Sequence, residues 1–584
     1  MGECLRRMLF RRPASRRVLP AVFCMLFWLP LTAEAVDPIR FEGLAGKAGL
    51  EFVVNNSTTP ARHLIETMIA GVGVLDYDND GRPDIYLVNG APIPQKIQYI
   101  EGSRIPILIK GSSRFHNRLY RNEGGGTFAD VTTRAGVPGE GYGMGVAAAD
   151  FDNDGFADLF LPGVNRNVLY RNNGDGTFKD VTKQVGLDGI DPKRGKMWAV
   201  AAGWFDYDSD GYLDLFVVNY VLWDLQNEPV CGDVKAGFRT YCDPRLYQGL
   251  PNTLYHNNGD GTFTDVSETS GIASHIGKGM GVAFADYDQD GDLDVFVTND
   301  TEPNFLFRSD GRGRFEEVGL LAGIAYNDDG RAVSSMGVDF RDFDNDGRED
   351  VFFSALANET FPLFRNLGKG FFVDATQQSF VAKATLTSSG WSAGLFDFNN
   401  DGHKDILVAG GDVQDNTELF SSRKAKQSNI VLANLGDGTF SNQTSQAGEV
   451  LRREALHRGM AFGDFDGDGR VDAVVTRLNE RAELLHNTSP APNHWLAFRL
   501  TGRRSNRDAI GARIHIVGAS GLEQWNHVTT STGYGCSSEK TVFFGLGRDS
   551  EARSVEIRWP SGVVQKLNEV PADQFLELEE PVTP

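Results

Sequence analysis

The sequence predicts an all-β chain, a seven-bladed β-propeller followed by a small C-terminal β-sandwich-like domain. Three observations carry that expectation. An acidic turn of the form D-x-D-x-D-G-x-x-D recurs seven times, each time between apolar, partly β-branched runs. A second turn rich in Asn, Gly and Asp follows most of them, as in LYRNNGDGTFKDVT (169–182). From about Asn493 both repeats stop and a different set of short alternating runs begins. Apolar alternation on both sides of a tight turn is the signature of a β-hairpin, so each repeat holds two hairpins and four strands.

The acidic turns are the chemistry of the chain. In Gly279–Asn299, carboxylates at the first, third and fifth turn positions converge only if the backbone curls around a common centre. The glycine at the sixth position permits the curl, and a later acid closes the shell. So many like charges repel without a cation, and hard oxygen ligands point to Ca²⁺, up to seven ions in all. The candidate ligands are Asp76, Asp78, Asp80 and Asp84; Asp150, Asp152, Asp154 and Asp158; Asp206, Asp208, Asp210 and Asp214; Asp286, Asp288, Asp290 and Asp294; Asp342, Asp344, Asp346 and Asp350; Asp397, Asn399, Asp401 and Asp405; and Asp464, Asp466, Asp468 and Asp472. The sixth loop has the weakest shell, because Asn399 replaces an acid.

The seventh repeat lacks its fourth strand. Ile39–Leu44 near the start of the chain has the right character to supply it and clasp the ring shut. In an up-and-down blade all seven acidic turns share one face. The three long insertions, Asn89–His116, Asn219–Pro251 and Gly410–Ser428, then crowd onto the opposite face, where binding loops are expected.

Residues 1–35 read as a signal peptide: six arginines, an apolar run Val18–Leu31 and Ala33-Glu34-Ala35 as a cleavage site. Nothing later approaches a membrane span. The leader carries six arginines against two glutamates, so its removal takes the net charge from −22 to −26. A balance that acidic argues against nucleic acid as a partner. Expected domains are then the propeller, 36–490, and the C-terminal unit, 491–580. Cys231 and Cys242 lie in one insertion and are either a loop-stapling disulfide or a pair of free thiols; Cys536 has no obvious partner.

Met68, Met144, Met197, Met280, Met336 and Met460 each precede an acidic turn by ten residues or fewer, which places them around the central channel. Flexible thioethers suit gaps between wedge-shaped blades; the sharper alternative is a soft-metal or ligand site shared with His63, His275 or His457. Trp223, Tyr241, Tyr247 and Trp495 are either stacking surfaces for sugars or core residues, since aromatic residues are as often core. No catalytic motif stands out, and the acids are absorbed by the turns. Asp328, Asp329 and Arg331, and Lys193, Arg194 and Lys196, are loose charged groups that read as solvated surface.

The acidic and F-x-D-V hairpins resemble the FG-GAP/VCBS repeats of integrin α-subunit propellers. Gly502, Ser505–Asp508, Ile510–Arg513, Phe544–Gly547 and Val555–Gly562 resemble the ASPIC/UnbV domain, and the combination is similar to the cartilage acidic protein family. The resemblance implies a secreted, calcium-binding protein, placed outside the cell, in a periplasm or at a cell surface. The expected function is an adhesion or interaction scaffold for an extracellular protein or glycan. The alternative is a carbohydrate-active or other secreted enzyme working on the face opposite calcium.

Overall fold

The acidic turns end as expected in seven antiparallel four-stranded sheets. The computed structural model describes residues 37–584 except 70, 95–107, 192–194, 234, 491 and 583–584. The leader, residues 95–107 of the first insertion, and Lys193 and Arg194 therefore lie outside the described residues. In blade 4 the strands are Gly279–Ala285, Asp294–Asn299, Phe305–Ser309 and Phe315–Glu317, each paired with the next. The innermost strands of the seven blades are Val72–Leu75, Ala147–Ala149, Ala199–Phe205, Gly279–Ala285, Val338–Arg341, Gly390–Phe396 and His457–Gly463. Each adjoins the next, and the last adjoins the first, so the ring is closed.

Phe41–Gly43 closes it. This strand pairs with Glu483–Asn487 as the outermost strand of blade 7, with Phe41 opposite Asn487. Between blades the packing is aromatic: Phe205 stacks on Phe284 at 4.5 Å, and Phe396 lies 4.5 Å from Phe462. Such contacts bury large apolar area and add geometric preference.

Residues 494–579 form two further sheets. Val542–Gly547, His494–Thr501 and Gln574–Glu579 make one, with the last two strands parallel. Glu523–His527, Arg513–Gly518, Glu551–Arg558 and Val564–Pro571 make the other. Leu496, Phe498, Ile514, Ile516, Phe544 and Trp559 fill the space between them.

This sandwich sits on the acidic-turn face of the ring, a placement the sequence does not announce. Trp495 closes over Gly469, Trp525 over Gly347 and Leu522 over Gly402. The Asp150 N–H donates to Asp508 at 2.7 Å, the Asp464 N–H to Glu539 at 3.1 Å and the Arg507 N–H to Asn153 at 2.8 Å.

From the sandwich, segment 528–541 descends into the channel as a plug. The Val74 N–H donates to Ser537 O at 2.8 Å, Val146 N–H to Gly535 O at 3.1 Å, and Gly533 N–H to Val338 O at 2.8 Å. The Ser531 hydroxyl donates to Val282 O at 2.8 Å, and Tyr534 OH reaches Met68 O at 2.9 Å. The plug therefore satisfies polar backbone of blades 1, 2, 4 and 5 in a space too narrow for water to do so freely. Glycines make the approach possible. A Cβ at Gly337 would lie 2.5 Å from Trp391 O and 2.9 Å from Gly533 C.

The methionines follow from the same geometry. In Met144-Gly145, Met280-Gly281 and Met336-Gly337 the thioether is buried and the glycine lies against the plug. They are the packing residues of the gap-filling reading. The three histidines are engaged elsewhere: His63 with Glu228, His275 with Phe305 and Phe307, and His457 Nδ1 with Gly410 O at 2.7 Å. Burial pushes the His457 imidazole down to about 4.

On the opposite face the second insertion carries a hairpin, Cys231–Asp233 with Phe238–Thr240, stapled by a Cys231–Cys242 disulfide. It leans on the third insertion: the Tyr241 N–H donates to Gln414 Oε1 at 2.8 Å and the Gln414 amide returns a bond to Tyr241 O at 2.9 Å. Glu228 accepts from the Leu64 N–H at 2.8 Å, next to blade 1. The hairpin thus straps across the mouth of the channel. Trp223 and Tyr241 are buried in this contact instead of offering open stacking faces.

Candidate metal centres

Each acidic turn needs two residues in left-handed conformation. At the sixth position these are glycines, such as Gly81 at φ 85° and Gly291 at φ 102°. At the fourth they are Asn79, Asn153, Ser209, Gln289, Asn345, Asn400 and Gly467, with φ between 55° and 76°. Asparagine tolerates this region better than most residues, so the fourth position is a second local instruction for the curl.

The curl gathers the acids. Asp76, Asp78 and Asp84 offer oxygens within 4.8 Å of one another, as do Asp150, Asp152 and Asp158, and Asp206, Asp208 and Asp214. The first and last acids are also held by backbone. Asp76 accepts from Asp80 N–H at 3.1 Å and Gly81 N–H at 2.8 Å; Asp84 accepts from Tyr77 N–H at 3.1 Å and Asn122 N–H at 2.7 Å. The same pattern returns for Asp342, Asp350, Asp397, Asp405, Asp464 and Asp472, and for Asp286 and Asp294.

The third position differs. Oδ1 of Asp78, Asp152, Asp208, Asp288 and Asp344 is buried with no hydrogen-bond donor, in loops 1 to 5. A buried carboxylate oxygen left unpaired is expensive, and a cation at these five equivalent positions would satisfy it. The donor set therefore fits a hard divalent ion. Its other oxygen faces a cation from the third strand: Arg121 to Asp78 at 2.6 Å, Arg171 to Asp152 at 2.5 Å, Arg365 to Asp344 at 2.5 Å. In blades 3 and 7 a histidine takes that place. His256 lies 3.6 Å from Asp208 and His486 3.8 Å from Asp466, and each also bonds the closing acid, Asp214 at 3.1 Å and Asp472 at 3.2 Å.

The fifth-position acids Asp80, Asp346 and Asp468 turn toward Arg82, Arg348 and Arg470. Asp154, Asp210 and Asp290 accept from the N–H two residues on. In the sixth loop Asn399 donates to Asp401 at 2.9 Å and to Asp37 O at 2.9 Å, so its amide gives a hydrogen bond to an acid of a turn that has one acid fewer.

Burial and like charge raise the pKa of the first and closing acids of the turns. Burial pushes Asp84 and Asp464 up to about 8, and Asp150, Asp206 and Asp214 to about 7. Asp286 and Asp342 rise to about 6 for the same reason. Charged acids in these pockets need a counter-charge, which a bound cation supplies.

Two features escaped sequence reasoning. Fourth-position side chains link neighbouring turns: Asn79 donates to Gly155 O at 2.8 Å, Asn153 to Gly211 O at 2.9 Å, Gln289 to Gly347 O at 2.6 Å and Asn345 to Gly402 O at 2.8 Å. In every blade but the fourth, an asparagine at or near the end of the third strand reaches back to the previous blade. Asn122, Asn172, Asn257, Asn366, Asn434 and Asn487 donate to Phe465, Tyr77, Phe151, Tyr287, Phe343 and Phe398 carbonyls at 2.8 to 2.9 Å. The signal was present as the Asn of the Y-R-N segment, and it read as turn chemistry.

Fold and turns define a repeat propeller of the FG-GAP type, and the family comparisons agree. The model for the FG-GAP-like repeat matches residues 107–161, 161–217, 246–297, 286–353, 342–408 and 416–475, and the ASPIC and UnbV model matches 502–584. The chain belongs to the FG-GAP-like repeat family and carries an ASPIC and UnbV segment. Cartilage acidic protein 1 of Homo sapiens is 24% identical over 576 residues, covering 95% of this chain and 77% of the relative. The protein of the same name from Mus musculus is 24% identical over 509 residues, covering 84% and 70%. Among solved structures, an Agrocybe aegerita lectin that recognises non-reducing terminal N-acetylglucosamine is 17% identical with a TM-score of 0.38, covering 71% of this chain and 87% of that one. No helix among the described residues is long and apolar enough to cross a membrane.

Proposed function

We propose that this protein is an exported scaffold whose acidic turns bind structural calcium and whose insertion face binds an extracellular protein or glycan. The observation that carries the calcium reading is the buried, donorless third-position oxygen repeated in loops 1 to 5. Each ion would hold a turn whose charges otherwise oppose folding. Binding only the folded state, it would add about 2.7 kcal/mol per site at a hundredfold excess over Kd. The 28 candidate ligands act as seven sets, from Asp76 to Asp472. The sandwich rests on those turns, so calcium would also set the surface on which it docks.

Export rests on the arginine-rich, apolar leader and on the Cys231–Cys242 disulfide, which belongs to an oxidising compartment. The binding role of the insertion face rests on its position: long loops fixed on a rigid ring and left uncovered by the sandwich. Thermal unfolding of the mature chain with calcium and with a chelator, together with metal counting, tests the calcium reading. A large calcium-dependent rise in Tm with about seven bound ions is expected. Stability indifferent to calcium would overturn it.

A further inference from the structure

Beneath the disulfide strap the channel mouth keeps a cavity of about 580 Å³, within the range of small-ligand sites, roughly 300–1,000 Å³. It reaches solvent beside the exposed Leu246 and Arg245. Its inner wall is apolar and aromatic, with Met280, Met336, Trp391 and Tyr220 all buried.

Charge decides what could enter. Four carboxylates line the cavity, Asp243, Asp300, Glu359 and Asp412, against two guanidiniums. Arg245 is taken by Asp243 at 2.6 Å, and Arg423 lies 3.6 Å from Asp412. Even so, Asp412 Oδ2 is buried with no hydrogen-bond donor. Among the described residues no lysine, arginine or histidine nitrogen comes within 4.0 Å of Asp300 or Glu359. Asp300 is buried and accepts from Tyr220 OH at 2.7 Å, while Glu359 accepts from Ser334 N–H at 2.9 Å. The nearby Lys278 ammonium is spent on Glu302 at 2.8 Å. The buried Arg458 guanidinium behind Trp391 is spent on the Thr67, His457 and Asp412 carbonyls, so two carboxylates face a partly aromatic space with no cation of their own. An anion would meet net negative charge, and a neutral sugar would leave both carboxylates unmatched.

We propose that this cavity binds a small organic cation, an alkylammonium or guanidinium group on an apolar stem, with its charge between Asp300 and Glu359. The stem would lie along Met280 and Met336, and Tyr220 would add attraction for the cation through its ring, since the Trp391 ring already carries the Arg458 guanidinium at 4.0 Å. Free amines and the basic side chain of a peptide share this chemistry. The inference deepens the reading of the insertion face as the binding face.

Calorimetric titration of the calcium-loaded mature chain tests it, with agmatine and 1,5-diaminopentane as free cations and Gly-Lys-Gly as the peptide form. Saturable one-site binding with a Kd below about 1 mM is expected for at least one of them. Asp300→Asn and Glu359→Gln should each weaken it by about tenfold or more, and Glu577→Gln should leave it unchanged. Preference for the tripeptide would assign the site to a basic side chain, and preference for the diamine to a free amine. Absence of binding by all three overturns the proposal, as does binding undiminished in both variants or saturation by N-acetylglucosamine or glutarate instead. If Asp300→Asn fails to fold, Glu359→Gln alone carries the test. A calcium-dependent Tm measured on the same samples separates failure of this site from failure of the calcium scaffold.

Discussion

On one face of the ring seven turns repeat one local chemistry; on the other, unlike insertions meet over the channel. The turns are specified within nine residues each, by acids at fixed spacing and by residues that accept a left-handed backbone. The insertion face is specified by contacts between distant parts of the chain, such as Tyr241 with Gln414 and Leu64 with Glu228. The difference teaches where stability and where selectivity can reside. Repetition spreads one electrostatic demand over seven sites, whereas the insertions concentrate single contacts around one cavity.

The largest expected effect separates the faces by their response to pH after metal removal. Carboxyls of the turns have folded-state values raised by burial, to about 8 for Asp84 and Asp464 and about 7 for Asp150, Asp206 and Asp214. Unfolded aspartates titrate near about 3.9. Between those limits the folded chain holds more protons than the unfolded chain, so its stability falls as pH rises. Metal-stripped protein should therefore unfold at markedly lower temperature at pH 8 than at pH 5. With calcium the trend should weaken or reverse, since the ligands must be deprotonated to bind. Unfolding scans at the two pH values, with and without chelator, check this. Equal slopes in both conditions would mean that the turns do not hold cations.

The next effect concerns the joint between the two halves of the chain. Tyr534 is fully buried at the tip of the plug, packed at 5.2 Å against Trp391 and bonded to Met68 O. Tyr534→Ala leaves a cavity and an unpaired carbonyl and should destabilise the protein by about 3–5 kcal/mol. The loss would be read by denaturant unfolding in calcium. A loss below 1 kcal/mol would show that the plug is not part of the cooperative core.

The plug also marks the limit of what the sequence conveys. Blades, acidic turns and the closing strand Phe41–Gly43 were legible because each rests on a local period or a fixed spacing. Segment 528–541 is Thr, Ser and Gly with scattered larger residues, the composition of a surface loop. Its burial comes from narrowness: on either side of Tyr534 only glycine fits, since a Cβ at Gly533 would collide with Ser392 Oγ and one at Gly535 would lie 3.1 Å from Val200 O. The Met-Gly pairs carried half of that message. The methionines were visible as channel packing, and the glycines needed the plug to be understood. The cavity carboxylates were illegible for a related reason, because Asp300 and Glu359 belong to blades 4 and 5 and meet only in three dimensions.

A smaller effect tests the repeat from within. Asn172 donates 2.8 Å to Tyr77 O and 3.1 Å to Ala157 O, tying blade 2 to the turn of blade 1. Asn172→Ala strands a buried carbonyl and should lose about 1–3 kcal/mol, measured as a shift in denaturant midpoint at unchanged slope. The equivalent change at Asn434 should match it, because its bonds to Phe343 O and Lys404 O have the same lengths within 0.1 Å.

Blade 4 breaks the series and supplies the converse. Its third strand ends in Ser309, whose N–H donates to Asp294 at 2.8 Å and whose hydroxyl accepts from Gly311 N–H at 3.1 Å, as an asparagine there would. Serine is too short to reach the preceding turn, and among the described residues no side chain donates to Tyr207 O. The fourth-position link fails at the same seam, where Ser209 stands in place of the Asn or Gln that bonds the next turn in blades 1, 2, 4, 5 and 6. The boundary between blades 3 and 4 therefore lacks both of the side-chain ties that most other boundaries possess. Ser309→Asn should restore one and stabilise the chain by about 0.5–1.5 kcal/mol, seen as a raised midpoint with calcium present. If the variant is neutral or worse, the aromatic packing of Phe205 against Phe284 already fixes this seam, and the asparagines elsewhere follow blade geometry without enforcing it.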